Sequence, residues 1–111
     1  METTAQEVQV ETPIYKLWID DIRPAPDSSW DIARTYAEAI DKLYAVDRYD
    51  EISFDNDLGT GNGEGYQIVD YLEAAVVRGE LRRPRVCMVH SMNPVAKARM
   101  KATLRRFTNV R

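Results

Sequence analysis

EISFDNDLGTGNGEGYQIVDYLEAAVVRGELRRPRVCMVH, residues 51–90, is the stretch that decides the fold. Glu51-Ile52-Ser53-Phe54 is a short apolar run that stops at Asp55 and Asp57, as a strand does. A glycine-rich loop follows, from Gly59 to Gly65. From about Tyr66 to Arg78, Ile68, Val69, Leu72 and Val76 recur at helical spacing, and Gly79 ends the pattern. Arg85 to Val89 is a second apolar strand, stopping at His90-Ser91. Strand, helix and strand within about forty residues make a βαβ unit, which joins parallel strands by a right-handed crossover.

The same pattern extends outward in both directions. Ile14-Tyr15-Lys16-Leu17-Trp18-Ile19 reads as a buried strand ending at Asp20-Asp21. Residues 23–29 hold two prolines and form a loop. Trp30 to Arg34 alternates as a short strand, and a helix from about Tyr36 to Ala45 follows with Thr35 as its cap. Beyond the central unit, Asn93-Pro94 opens a last helix that reaches roughly Phe107 and buries Val95, Met100 and Leu104. Residues 1–13 are polar and acidic, lack the hydrophobic core of a signal peptide, and read as a flexible tail ended by Pro13. One α/β domain is expected over 14–111, with a parallel sheet of about four strands covered on both faces.

Composition bounds the function. At 111 residues the chain makes one domain and needs no metal or disulfide to fold. Cys87, the only cysteine, lies in an apolar run and reads as a buried structural thiol. No segment is apolar over the length of a membrane span, so a cytoplasmic setting without a membrane partner is expected. Charge is unevenly placed. Residues 1–80 carry all the acid and a net −12, whereas residues 81–111 carry nine Lys and Arg and no acid. This describes either an internally complementary surface or a basic wall facing an anionic partner.

Parallel strands bring the ends Asp20-Asp21, Asp55-Asn56-Asp57 and His90-Ser91 to one edge, where open α/β sheets bind ligands. Crowded carboxylates repel unless a cation lies between them, and hard oxygen donors suit Mg²⁺ or Mn²⁺. Asp20, Asp21 and Asp55 are the expected ligands, with Asp57 beside them. The competing account has Asp57 capping the glycine loop and Asp21 capping the Arg23 turn. His90, the only histidine, excludes a multi-histidine zinc site and is a candidate general acid or base. Ser91 can hydrogen-bond a phosphoryl oxygen. Asn93 and the helix start offer an anion site, with positive charge from Lys97, Arg99 and Arg23. The glycine run lacks the residues of a P-loop and reads as a mobile lid or a plain connection. Met88, Met92 and Met100 read as core or its margin.

Asp-Asp after the first strand, aspartate after the third and a hydroxyl after the fourth resemble the response-regulator receiver. More specifically, Leu17 to Pro24, Ser53 to Gly59 and Val89 to Pro94 resemble the cyclic-phosphate processing receiver-like family. The resemblance implies a flavodoxin-like three-layer sandwich, here with a loop in place of the first helix. It also implies a metal-dependent phosphoesterase-like site and a nucleotide or RNA cyclic phosphate as partner. That family commonly has His where this chain has Asn56, and receivers carry a fifth strand and a lysine for which residues 108–111 leave little room. The alternative is a non-catalytic pseudo-receiver that sequesters a nucleotide or docks on a protein. A homodimer through the face near the last helix and a phage or conflict-system setting complete the expectations.

Overall fold

Every strand of the sheet is four residues or fewer, and β-strand geometry sends its successive side chains to opposite faces. In a computed structural model, which describes residues 14–111, the order is β1 (Lys16–Ile19), β2 (Trp30–Ala33), α1 (Tyr36–Val46), β3 (Glu51–Phe54), α2 (Gly65–Val77), β4 (Val86–Val89), α3 (Pro94–Leu104) and β5 (Asn109–Val110). The tail expected over 1–13 lies outside the described residues. All pairings are parallel, in the order β2-β1-β3-β4-β5. This is the flavodoxin-like order, and β1 gives way to a loop where that fold has its first helix.

Caps act where the sequence places them. Thr35 Oγ1 accepts the Glu38 N–H at 3.1 Å, and Asn93 Oδ1 accepts the N–H groups of Val95 and Ala96. Gly79 takes a left-handed φ of 77° just past α2. The core is built from Leu17, Ile19, Ile52, Phe54, Cys87 and Val89 of the sheet against Ile68, Leu72, Met100 and Leu104 of the helices. Each large side chain in it contributes roughly 1.5–3 kcal/mol by leaving water. Cys87 is buried, and burial pushes its thiol up to about 12, so it is inert.

Two features differ from the sequence expectation. A fifth strand forms after all: Asn109 and Val110 pair with Val86 and Cys87, because the turn after α3 needs only four residues to reach β4. Second, β2→β3, β3→β4 and β4→β5 all step the same way across the sheet. Right-handed crossovers therefore put α1, α2 and α3 on one face. The sheet was expected to be covered on both faces, and the three helices of the described residues share one of them. The helix-free face carries Lys16, Trp18, Trp30, Ile32, Ser53 and Met88, alternating with the core residues. Val95, expected in the core, is exposed in the first turn of α3, and Met92 is exposed as well.

Candidate functional site

The period of two that sorts the strands also aims their ends. Asp20, Asp55 and His90 each lie two residues beyond a residue of the helix-free face, namely Trp18, Ser53 and Met88. Their ligand atoms converge: one carboxylate oxygen of Asp20, one of Asp55 and one ring nitrogen of His90 lie within 4.8 Å of one another. A cavity of about 520 Å³ opens over this edge, lined by Asp20, Asp21, Arg23, Asp55, Asp57 and Ser91 among others. The acidic pairs of β1 and β3 and the hydroxyl after β4 thus meet, as the parallel topology predicts.

Asp20 is the most tightly held of the acids. Its Oδ1 accepts the N–H groups of Ile22 and Arg23 at 2.9 and 2.8 Å, and its Oδ2 lies 3.0 Å from His90 Nε2. Asp20, and not Asp21, is therefore the residue that caps the Arg23 turn. Burial raises the Asp20 carboxyl, but the Arg23 and Ile22 N–H groups and His90 outweigh it and hold the group below its ordinary range. Asp55 shows the reverse. Burial raises it, the Asn56 N–H partly offsets that, and the charges of Asp20 and Asp21 raise it further. Among the described residues the Asp55 carboxylate accepts only the Asn56 N–H, at 2.8 Å.

His90 is placed by two residues that the sequence reading did not single out, and a third holds the Asp20–Arg23 turn beside it. Its ring stacks on Trp18 with centroids 3.9 Å apart and planes 4° from parallel. Its Nδ1 lies 2.7 Å from Ser53 Oγ. Burial lowers the imidazole, opposed by Asp20 and reinforced by Arg23 and Lys97, so the ring is neutral at neutral pH. A carboxylate only accepts, which puts the ring proton on Nε2 and makes Ser53 the donor to Nδ1. The third residue is Arg34, whose Nη1 donates to the carbonyls of Asp20 and Arg23, while Trp18 Nε1 also donates to Arg23. The available signal was register: Trp18 and Ser53 pair directly across β1 and β3, two residues before the aspartates.

The remaining candidates divide. Ser91 lines the pocket, and its Oγ accepts the Asn93 N–H at 3.0 Å, leaving its proton to donate. Asn93 also lines it, but its side chain occupies the N–H groups expected to be free at the helix start. Asp57 lines it with Oδ1 on the Gly59 N–H, as the capping account has it. Neither Lys97 nor Arg99 is in the lining. Arg99 stacks over Tyr66 and pairs with Asp70 instead. The glycine loop is stitched down by Tyr36 N–H to Asn62 O and by Asn62 Nδ2 to Leu58 O, so it behaves as a held connection. A Cβ at Gly63 would come within 2.7 Å of Tyr36 Cβ, which explains the glycine there.

Residues 15–106 match the family model of the cyclic-phosphate processing Receiver domain. The chain belongs to that family. Curated proteins and solved structures give no match. Membership accounts for the strand-end motifs and for the parallel order, and it associates this receiver domain with cyclic-phosphate processing. Asn56, where the family commonly has His, is buried and locked: its amide donates to Glu64 and accepts the Tyr66 N–H, anchoring the start of α2. No helix among the described residues is long and apolar enough to cross a membrane.

Proposed function

We propose that this receiver domain is a Mg²⁺- or Mn²⁺-dependent phosphoesterase acting on a phosphodiester or cyclic phosphate of a nucleotide or RNA end. The observation that carries the reading is the convergence of Asp20, Asp55 and His90 within 4.8 Å beside Asp21, in a cavity large enough for a small ligand. The carboxylates of that set fit a hard cation, with His90, both of whose ring nitrogens are engaged, beside them and not as a ligand. Asp55 is raised by burial and by two neighbouring negative charges, a stress that a bound cation relieves. A divalent ion there supplies Lewis-acid polarisation of a phosphoryl oxygen and an activated water.

The chain's own residues do the rest. Asp20, Asp21 and Asp55 hold the cation. With both nitrogens engaged, His90 orients Asp20 and handles a proton only through its Nε2–H. Asp57 has one carboxylate oxygen committed to Gly59, leaving the other to take a proton from water. Ser91 donates its hydroxyl proton to a non-bridging oxygen, and Arg23 adds positive charge at the pocket wall. The test is hydrolysis of a panel of cyclic nucleotides and cyclic-phosphate-ended RNAs with Mg²⁺ or Mn²⁺. Turnover by wild type and its loss in Asp55→Asn are expected; a panel left intact sinks the reading.

One observation favours a binding module instead. Asn56 has no titratable proton and its amide is engaged in holding α2, so a group that family members commonly have is missing from the site. A pure binder would show cyclic-phosphate affinity that needs the acidic edge, without turnover.

A further inference from the structure

Two of the largest apolar side chains left in water stand in the walls of the acidic pocket. Ile22 is 80% exposed and Met92 is 77% exposed, and both line the cavity that holds Asp20, Asp21 and Asp55. Folding gives neither a reason to be apolar. Ile22 lies in the turn that Asp20 caps through backbone N–H groups, and Met92 lies between Ser91 and Asn93, whose own hydrogen bonds start α3. Polar residues would serve both positions equally well. Val95, a residue into α3, is exposed too. Arg23 shares the lining, and among the described residues no carboxylate pairs with its guanidinium.

The volume points the same way. A cation, its remaining waters and one phosphoryl group fill roughly 200 Å³, at about 30 Å³ for each water-sized unit. The cavity is about 520 Å³. The rest of the space is bounded by an isoleucine, a methionine and a guanidinium, surfaces that suit the faces of a flat aromatic ring. A protein partner would need a contact of about 800 Å² per side, far larger than this recess.

We propose that Ile22 and Met92 are the specificity-determining jaws of the pocket, holding the base of a nucleotide whose phosphate lies over the Asp20–Asp55 floor. The inference rests on the phosphate-binding reading of that floor and adds to it which part of the ligand is recognised. Phosphates lacking a base fill only the acidic half.

The experiment compares 2′,3′-cyclic AMP with base-free 1,2-cyclic glycerol phosphate in Mn²⁺, on wild type, Ile22→Ala, Met92→Ala and the double variant. Binding is read as Kd where nothing turns over and as KM where it does. The midpoint of thermal stabilisation by Mn²⁺ alone is measured alongside. Both side chains are on the surface, so the variants fold. Wild type should prefer the base-bearing ligand by about a hundredfold, each single substitution should remove about tenfold of that affinity, the size expected for one aliphatic contact, and the double variant nearly all of the preference. Affinity for the base-free phosphate and the Mn²⁺ midpoint should not move. Equal wild-type affinity for the two phosphates overturns the jaws alone, as does a substitution that weakens both alike. A protein stabilised by Mn²⁺ that binds neither phosphate overturns the phosphate reading, and the jaws fall with it.

Discussion

The flank built by α2 and α3 and the carboxyl edge of the sheet treat their acids in opposite ways. On the flank and beside it each acid has a cationic partner: Glu73 with Arg106, Asp70 with Arg99, Glu80 with Arg78 and Glu51 with Arg85. Three of those four cations come from the basic last third of the chain. The lopsided charge of the sequence therefore folds into a complementary surface. At the carboxyl edge, Asp20, Asp21, Asp55 and Asp57 make no ion pair with Lys or Arg among the described residues, and the one contact, Asp20 to His90, is to a neutral imidazole. Arg23 at the pocket wall lends positive charge, but among the described residues it pairs with none of these acids. On the reading proposed above a cation from solution would complete this edge, and that contrast is open to attack at several points.

The largest effect is expected at Gly65. A Cβ there would lie 1.9 Å from the carbonyl oxygen of Asp55 and 2.9 Å from Asn56 Cα, both backbone atoms with little freedom to yield. Gly65 N–H also donates to Asn56 O at 2.8 Å, so the start of α2 is pressed directly onto the strand end that carries the site. Gly65→Ala should cost about 3 kcal/mol, at the upper end for overpacking. Urea unfolding measures it. A near-neutral result would show that the edge is soft, and a soft edge could spread its carboxylates and escape the need for a cation.

Next in size is the cation itself. A ligand that binds only the folded form at a hundred times its dissociation constant adds about 2.7 kcal/mol, which raises the Tm of a domain this size by about 10 °C or more. Wild type should respond so to Mg²⁺ or Mn²⁺, and Asp55→Asn should not. A wild-type melt indifferent to both ions would erase the difference between edge and flank. The pH dependence of the metal-free protein sharpens the same point. Because Asp55 is raised above its unfolded range, it destabilises the fold when ionised; its contribution improves as pH falls through the folded pKa. Asp20, lowered, contributes stability above its unfolded pKa and loses it as pH falls through its folded one. Asp55→Asn should remove the first trend and leave the second, in chemical melts between about pH 3 and 7.

How much of this was legible follows from which physics each feature obeys. Strand ends and caps depend on local pattern, so β3 at Glu51–Phe54, the Thr35 cap and the convergence of Asp20, Asp55 and His90 could be read from the chain. β5 was missed because two residues carry no periodicity, and only the pairing partner in β4 makes them a strand. Coverage of both faces was expected because helices separate the strands, whereas three right-handed crossovers stepping the same way put the described helices on one face. Val95 was assigned to the core by spacing, but in the first turn of α3 it faces solvent. Trp18, Ser53 and Arg34 carry no site signature of their own; their roles come from register and from a loop folding back, which spacing along the chain does not encode.

The smallest expected effect lies on the flank, and it decides whether the comparison is about charge or about function. Glu73 and Arg106 form the best-made surface pair, two parallel hydrogen bonds of 2.8 Å joining α2 to the turn after α3. Arg106 lowers the Glu73 carboxyl, with burial opposing. Yet the Arg106 side chain is 62% exposed, so water and salt screen the attraction. Glu73→Gln should therefore cost under about 1 kcal/mol, shrink further in high salt, and leave the response to Mg²⁺ or Mn²⁺ untouched. Parallel melts of the variant and of Asp55→Asn at low and high salt make the measurement. If the Glu73 change altered metal response, the two regions would be one coupled electrostatic system, and the acidic edge would lose its claim to be built for a separate cation. If instead only Asp55→Asn abolishes it, the flank is plain surface complementarity and the edge is the part of the molecule that expects a ligand.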